Sequence, residues 1–168
     1  GLGRTFQTPR FLSRSTVGEN MKLGTDLADQ MGFLKSFFGK KGNDFLDEVN
    51  QYLEIADLTV NWKDDISSLS YGQLKRLEIV RALLSHPKVL LVDEPAAGLN
   101  AKELEKSVAL MRHAAEKGVG IVLIEHKMDM IMNVCDHIVV LNFGKMIAHG
   151  TPEAVQSSEA VIEAYLGR

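Results

Sequence analysis

Asp93 and Glu94 directly follow the apolar run Val89-Leu90-Leu91-Val92, which places two carboxylates at the carboxyl end of a segment of strand length. Ligands of open α/β sheets bind at that end of the strands. A carboxylate there can hold Mg2+ through its water shell, because magnesium keeps several waters and takes few protein oxygens. Its neighbour can serve as a general base toward an attacking water. Taken by itself, Asp93-Glu94-Pro95 is equally a polar strand end followed by a turn.

A second cluster, Ser70-Tyr71-Gly72-Gln73, stands just before an amphipathic helix. Unpaired amides and the positive end of the helix dipole make such a place an anion site. Gly72 would let a phosphate approach the backbone, while Ser70 and Gln73 would add side-chain hydrogen bonds. As an isolated pattern it also reads as a helix N-cap with Ser70 as the cap. The phosphate-cradling loop G-x-x-x-x-G-K-[ST] does not occur: Gly39-Lys40 is followed by Lys41, and Gly144-Lys145 by Met146.

The elements that must position these groups alternate. Thr16 to Glu19 has the form of a capping box, and the region up to Ser68 has helical patterning. Gly39 to Asn43 is expected as a loop and Asp44 to Ala56 as a helix. Gln73 to Leu84 carries Leu74, Leu77, Val80 and Leu84 on one stripe, and His86-Pro87 ends it. Val89–Val92, Ile121–Ile124 and Ile138–Leu141 are expected as strands, the first two buried on both faces as in a parallel sheet. Helices are expected over 101–117 and 128–134. Asn142 to Lys145 turns into Met146–Ala148 as a hairpin, and Pro152 and Ser158 open two short helices. Strands alternating with helices indicate an α/β fold.

Composition narrows the function classes. With 168 residues, 45% hydrophobic and 24% charged, the chain has the make-up of a soluble globular domain with a core. A net charge of −3 gives no electrostatic basis for binding nucleic acid or an anionic membrane. The single cysteine, Cys135, excludes an internal disulfide and suits a reducing cytosol. No apolar run is long enough to span a bilayer.

LSYGQ followed at this spacing by VLLVDEP resembles the nucleotide-binding subunits of ABC transporters, as signature motif and Walker B. In the same register Gln7 resembles the Q-loop glutamine, Gly98-Leu99-Asn100 the D-loop, and Glu125-His126 the switch-histidine loop. RTFQ, RLEIVRAL, DEPAAGLN, IEHKM, VCDHIVVLNFGK, IAHGTPEAV and VIEAYLG are similar to the branched-chain amino acid importers in particular. The resemblance covers essentially the whole chain. It implies a P-loop NTPase fold of the ABC type, with residues 1–15 as the Q-loop segment and 16–68 as a helical subdomain. Residues 69–168 would then be the signature helix, the Walker B strand and the remaining core.

The implied activity is hydrolysis of ATP with Mg2+ in a head-to-tail dimer. Glu94 would act on water, His126 would contact the γ-phosphate, and Asp93 and Gln7 would serve the metal. Ser70, Tyr71, Gly72, Gln73 and Asn100 would reach the nucleotide or site of the other subunit. The implied partners are permease subunits, a second ATP-binding subunit and, indirectly, an external substrate-binding protein, with no nucleic acid. The implied place is the cytoplasmic face of the inner membrane, as a peripheral subunit.

Asn100 replaces the aspartate common in D-loops, Ala101 follows it where this branch often has proline, and Lys127 replaces the aspartate that commonly follows the switch histidine. No catalytic side chain is lost by these departures. Without a P-loop, the chain is expected to be the C-terminal part of such an ATPase and inactive alone. Urea and short-amide importers share much of the pattern, and Thr5-Phe6-Gln7-Thr8-Pro9 leans toward them. A non-catalytic half-domain lending its signature face to a partner ATPase is a further alternative. Phe33, Leu34, Phe37 and Phe38 have the spacing of a helix packed on its own subdomain, or of a docking face toward the permease.

Overall fold

The computed structural model describes residues 1–23 and 40–166. The Phe33–Phe38 cluster lies outside the described residues. The chain packs as two compact units, Gly1–Ile124 and Glu125–Arg168.

In the first unit β1 (Leu2–Arg4), β2 (Val89–Asp93) and β3 (Gly120–Ile124) form a parallel sheet in the order β1-β2-β3. Leu2 is in register with Val89, and Val89 with Gly120. Leu90 and Val92 of the central strand are fully buried. β3 differs from expectation: Val122 and Ile124 are 49% and 56% exposed. Its apolar run was expected to be covered on both faces. Among the described residues it pairs with β2 alone, so it is an edge strand, and edges are less covered than centres.

The helices of this unit are α1 (Val17–Lys22), α2 (Lys40–Ile55), α3 (Tyr71–Leu83) and α4 (Ala101–Glu116), with a 3-10 turn at Ile66–Ser68. The capping box expected at the start of α1 is present: Thr16 Oγ1 accepts from Glu19 N, and Glu19 Oε2 accepts from Thr16 N. Lys40 to Asn43 are the first turn of α2 and not a loop. Leu77, Val80 and Leu83 of α3 and its C-cap Leu84 are buried, as are Val49 and Leu53 of α2 and Leu110 and Met111 of α4. Asn100 caps α4, which ends at Gly118, a glycine with φ +89.

The second unit is built on the antiparallel pair β4 (Ile138–Asn142) and β5 (Lys145–Gly150), flanked by α5 (Met128–Val134), α6 (Pro152–Gln156) and α7 (Glu159–Leu166). Ile138, Val155 and Val161 form its small core, with Ile131 and Ile147 packed beside them. Asn142 faces Lys145, so Phe143-Gly144 is a two-residue hairpin turn. Both central residues have positive φ, 46° and 76°, as a type I′ turn requires.

Candidate functional site

The site is assembled where β1 and β2 end. Thr5 N donates to Leu91 O at 2.9 Å, which continues the β1–β2 ladder to the point where the chain leaves the sheet as Phe6-Gln7. β2 ends at Asp93, and Glu94 then takes a left-handed conformation, φ 44°, while its amide donates to Ile124 O at 2.8 Å. That turn ends the ladder and brings the Glu94 carboxylate to Gln7, whose Nε2 donates to Glu94 Oε2 at 2.6 Å. Asp93 Oδ2 lies 3.5 Å from Arg4 Nη2, so a guanidinium balances that carboxylate.

The residue types at these strand ends are ones a magnesium ion can take. Gln7 donates to Glu94 through its nitrogen, so its Oε1 is a neutral oxygen that the bond does not use. A neutral oxygen and one carboxylate, completed by water, satisfy what Mg2+ takes from protein.

Helix α3 starts with a capping box: Ser70 Oγ accepts from Gln73 N at 3.3 Å, and Gln73 Oε1 accepts from Ser70 N at 2.9 Å. The cap uses the acceptor side of both groups, so the Ser70 hydroxyl proton and the Gln73 amide protons remain as donors. Tyr71 OH donates to Gln7 O at 3.1 Å. Burial, and then the Glu78 and Glu94 carboxylates, raise the phenol pKa, which keeps it a donor. Its ring lies over Gly98, where φ is +73° and a Cβ would stand 2.7 Å from Tyr71 Cε1.

Gly72 also leaves space for a side chain of the same unit. A Cβ on Gly72 would collide with the carboxylate of Glu103, from α4, so the missing side chain makes room for that carboxylate. That carboxylate also accepts from Asn100 N at 3.1 Å and lies 3.8 Å from Arg76 Nη2. Arg76 is buried and donates to Gly72 O at 3.1 Å and to Ala56 O at 2.7 Å, satisfying a carbonyl just beyond the end of α2.

Two further buried charges on α3, Lys75 and Glu78, were missed by the sequence reading. Lys75 Nζ donates to Glu94 O at 2.9 Å. Glu78 accepts from Phe6 N at 3.3 Å and from Arg10 N at 3.0 Å. Tyr71, Lys75 and Glu78 are at i, i+4 and i+7, a single helix face. That spacing is a signal the sequence did contain.

Asn100 Oδ1 accepts from Glu103 N at 3.0 Å, and asparagine and aspartate are near-equal caps. The Asn100 departure is therefore harmless to the helix. In the second unit the Glu125 side chain is fully buried and accepts from His126 N at 3.0 Å, while His126 Nδ1 lies 3.4 Å from Glu125 Oε1. The structure thus joins Gln7, Glu94 and Tyr71 by hydrogen bonds, pairs Asp93 with Arg4, and carries His126 on the other unit.

The profile of the family described as ABC transporter matches residues 1–97, and that of the branched-chain amino acid ATP-binding cassette transporter matches residues 145–168. The chain is 38% identical over 173 residues to the high-affinity branched-chain amino acid transport ATP-binding protein BraF of Pseudomonas aeruginosa, covering 99% of this chain and 68% of that protein. It is 39% identical over 177 residues to its counterpart LivG of Escherichia coli, with the same coverage. Among solved structures it is similar to the ADP conformation of an ATP-binding cassette of an ABC transporter, with TM-score 0.75 and 33% identity over 100% of this chain and 69% of that one. The ATP-binding subunit of another ABC transporter shares the fold with TM-score 0.78 at 22% identity, over 99% and 67%. No helix among the described residues is long and apolar enough to cross a membrane.

Proposed function

Because the chain belongs to the ABC transporter family of ATP-binding cassettes, we propose that it serves the ATP-hydrolysing subunit of an importer for branched-chain amino acids. The observation that carries this reading is the 2.6 Å bond between Gln7 and Glu94. It brings the residue similar to the Q-loop glutamine onto the carboxylate that follows Walker B. A non-catalytic half-domain would give that pairing no task.

In this reading Glu94 accepts a proton from the attacking water, and Gln7 orders that water beside it. Asp93 and Gln7 Oε1 would hold Mg2+, which supplies charge neutralisation at the phosphates. His126 would hold the γ-phosphate end of the site. The donors left by the capping box, Ser70 and Gln73, would meet the nucleotide of a second ATP-binding subunit, with Tyr71 and Gly72 shaping that surface and Asn100 at the subunit crossing. Residues 16–68 would be the helical subdomain that meets the permease at the cytoplasmic face of the membrane.

The match of residues 145–168 to the branched-chain profile favours those amino acids over urea or short amides. The test is uptake of labelled leucine, isoleucine and valine, against urea and acetamide, by vesicles bearing the assembled transporter. ATP-dependent uptake of leucine that is lost on Glu94→Gln is expected. Uptake of urea or acetamide without leucine would overturn the substrate assignment.

A further inference from the structure

Helix α3 meets the proposed reaction centre with a line of polar side chains. Glu78 is 1% exposed, yet both of its oxygens are used. Oε2 accepts from Phe6 N and Oε1 from Arg10 N, the amides on either side of Gln7-Thr8-Pro9. Serving two amides through two oxygens requires a carboxylate, because an amide side chain has a single acceptor oxygen. One turn further on, Arg81 Nη2 donates to Arg10 O at 2.6 Å and lies 3.8 Å from Glu78 Oε1. The backbone on either side of Gln7 is therefore pinned to α3, while Tyr71 holds the carbonyl of Gln7 itself.

The other partner of the Gln7–Glu94 bond is held by the same helix, since Lys75 donates to Glu94 O. One rigid element thus fixes both ends of that bond.

We propose that Glu78 is the positioning residue for Gln7: by clamping the Phe6 and Arg10 amides it holds the Gln7 side chain at bonding distance from Glu94. This rests on the functional reading given above, in which Gln7 acts at the site of hydrolysis. Glu78 touches neither nucleotide nor water and acts only through the loop. Burial of such a carboxylate is costly unless every lone pair in use has a donor, and this one is fully engaged.

The test is a double-mutant cycle in the complete ATPase subunit assembled with its permease, using Glu78→Gln and Gln7→Ala. Glu78→Gln leaves one of the two amides facing an NH2 group and releases one side of the loop. The kcat for ATP hydrolysis is expected to fall about 10- to 100-fold, the scale of a misplacement approaching 1 Å. KM for ATP is expected to stay within about twofold. In the Gln7→Ala background the same substitution is expected to change kcat by less than about twofold, the limit of ordinary additivity.

An equal loss in both backgrounds overturns the proposal, as does full turnover by a folded Glu78→Gln protein. If Gln7→Ala alone leaves kcat unchanged, the role given to Gln7 fails, and the positioning claim fails with it. Should Glu78→Gln not fold, Glu78→Asp keeps the charge and both oxygens one methylene short, and the same cycle decides by the same criteria.

Discussion

Gln7 and Glu94, 87 positions apart, are joined by a 2.6 Å hydrogen bond from amide to carboxylate. The bond exists because β1 and β2 are parallel neighbours that end together, and because Glu94 turns out of its strand at φ 44°. In the proposed reaction Glu94 is the group that takes the proton of the attacking water. Glu94→Gln removes the base without changing the shape of the site, so ATP hydrolysis by the assembled transporter is expected to fall about 10²- to 10⁴-fold. ATP binding, measured by equilibrium dialysis, is expected to persist. Retained turnover would show that the carboxylate is not the base.

Gly72→Ala separates two explanations of a glycine near a helix start. Helix propensity alone favours alanine by about 1 kcal/mol. The methyl group would instead displace the Glu103 carboxylate, which caps Asn100 N and neighbours the buried Arg76. Loss of the Glu103 bond to Asn100 N and weakening of its contact to buried Arg76 cost about 1 kcal/mol each, which outweighs the propensity gain, so a net loss of ~1 kcal/mol is expected in denaturant unfolding. In a Glu103→Ala background the methyl has room, and Gly72→Ala is expected to become neutral or stabilising. A gain in stability in the original background would sink the packing explanation.

Much of this arrangement is legible in the residues, and what is hidden has a common cause. The capping box at Thr16, the N-cap at Ser70, the strand before Asp93 and the hairpin at Phe143-Gly144 are local, and local spacing declares them. The burial of Lys75, Arg76 and Glu78 is not local: the partners of these three side chains include Glu94, Ala56, Phe6 and Arg10, which sit on other elements. A charged residue on a helix reads as solvated until its distant partner is known. The exposed side of β3 was hidden for the converse reason, since an apolar run does not say how many strands lie beside it.

Titration separates two groups of carboxylates. The Glu78 pKa is raised, chiefly by burial, against the pull of the Arg10 and Phe6 amides and the charges of Arg81 and Lys75. The folded state then keeps a proton that the unfolded chain has lost, so stability falls as pH rises from the ordinary glutamate value through the raised one. The Asp65 pKa is lowered by its bonds from Ser67, and that of Asp57 by its bond and pairing with Lys102. Their contributions are present above the ordinary aspartate value and are lost as pH falls through the lowered one. Melting temperature against pH is expected to show both limbs. Glu78→Gln should abolish only the decline just above the glutamate value, and an unchanged slope there would refute the assignment. Salt is expected to erase most of the Asp57 contribution, because that pair is exposed.

Phe143 occupies the first central position of a type I′ turn at φ 46° and is fully exposed. Left-handed backbone costs an ordinary L-residue about 1–2 kcal/mol, whereas asparagine visits it readily. Asn-Gly is also the favoured dipeptide for this turn. The aromatic ring gains nothing in return, since all of its surface faces water. Phe143→Asn is therefore expected to stabilise the β4–β5 hairpin by about 1 kcal/mol. The gain should appear in hydrogen exchange of the Val140 and Ala148 amides, and the substitution should leave the Gln7–Glu94 region unchanged. A loss of stability would mean that Phe143 makes a contact in the assembled transporter or in solution, and crosslinking from that position would then identify it.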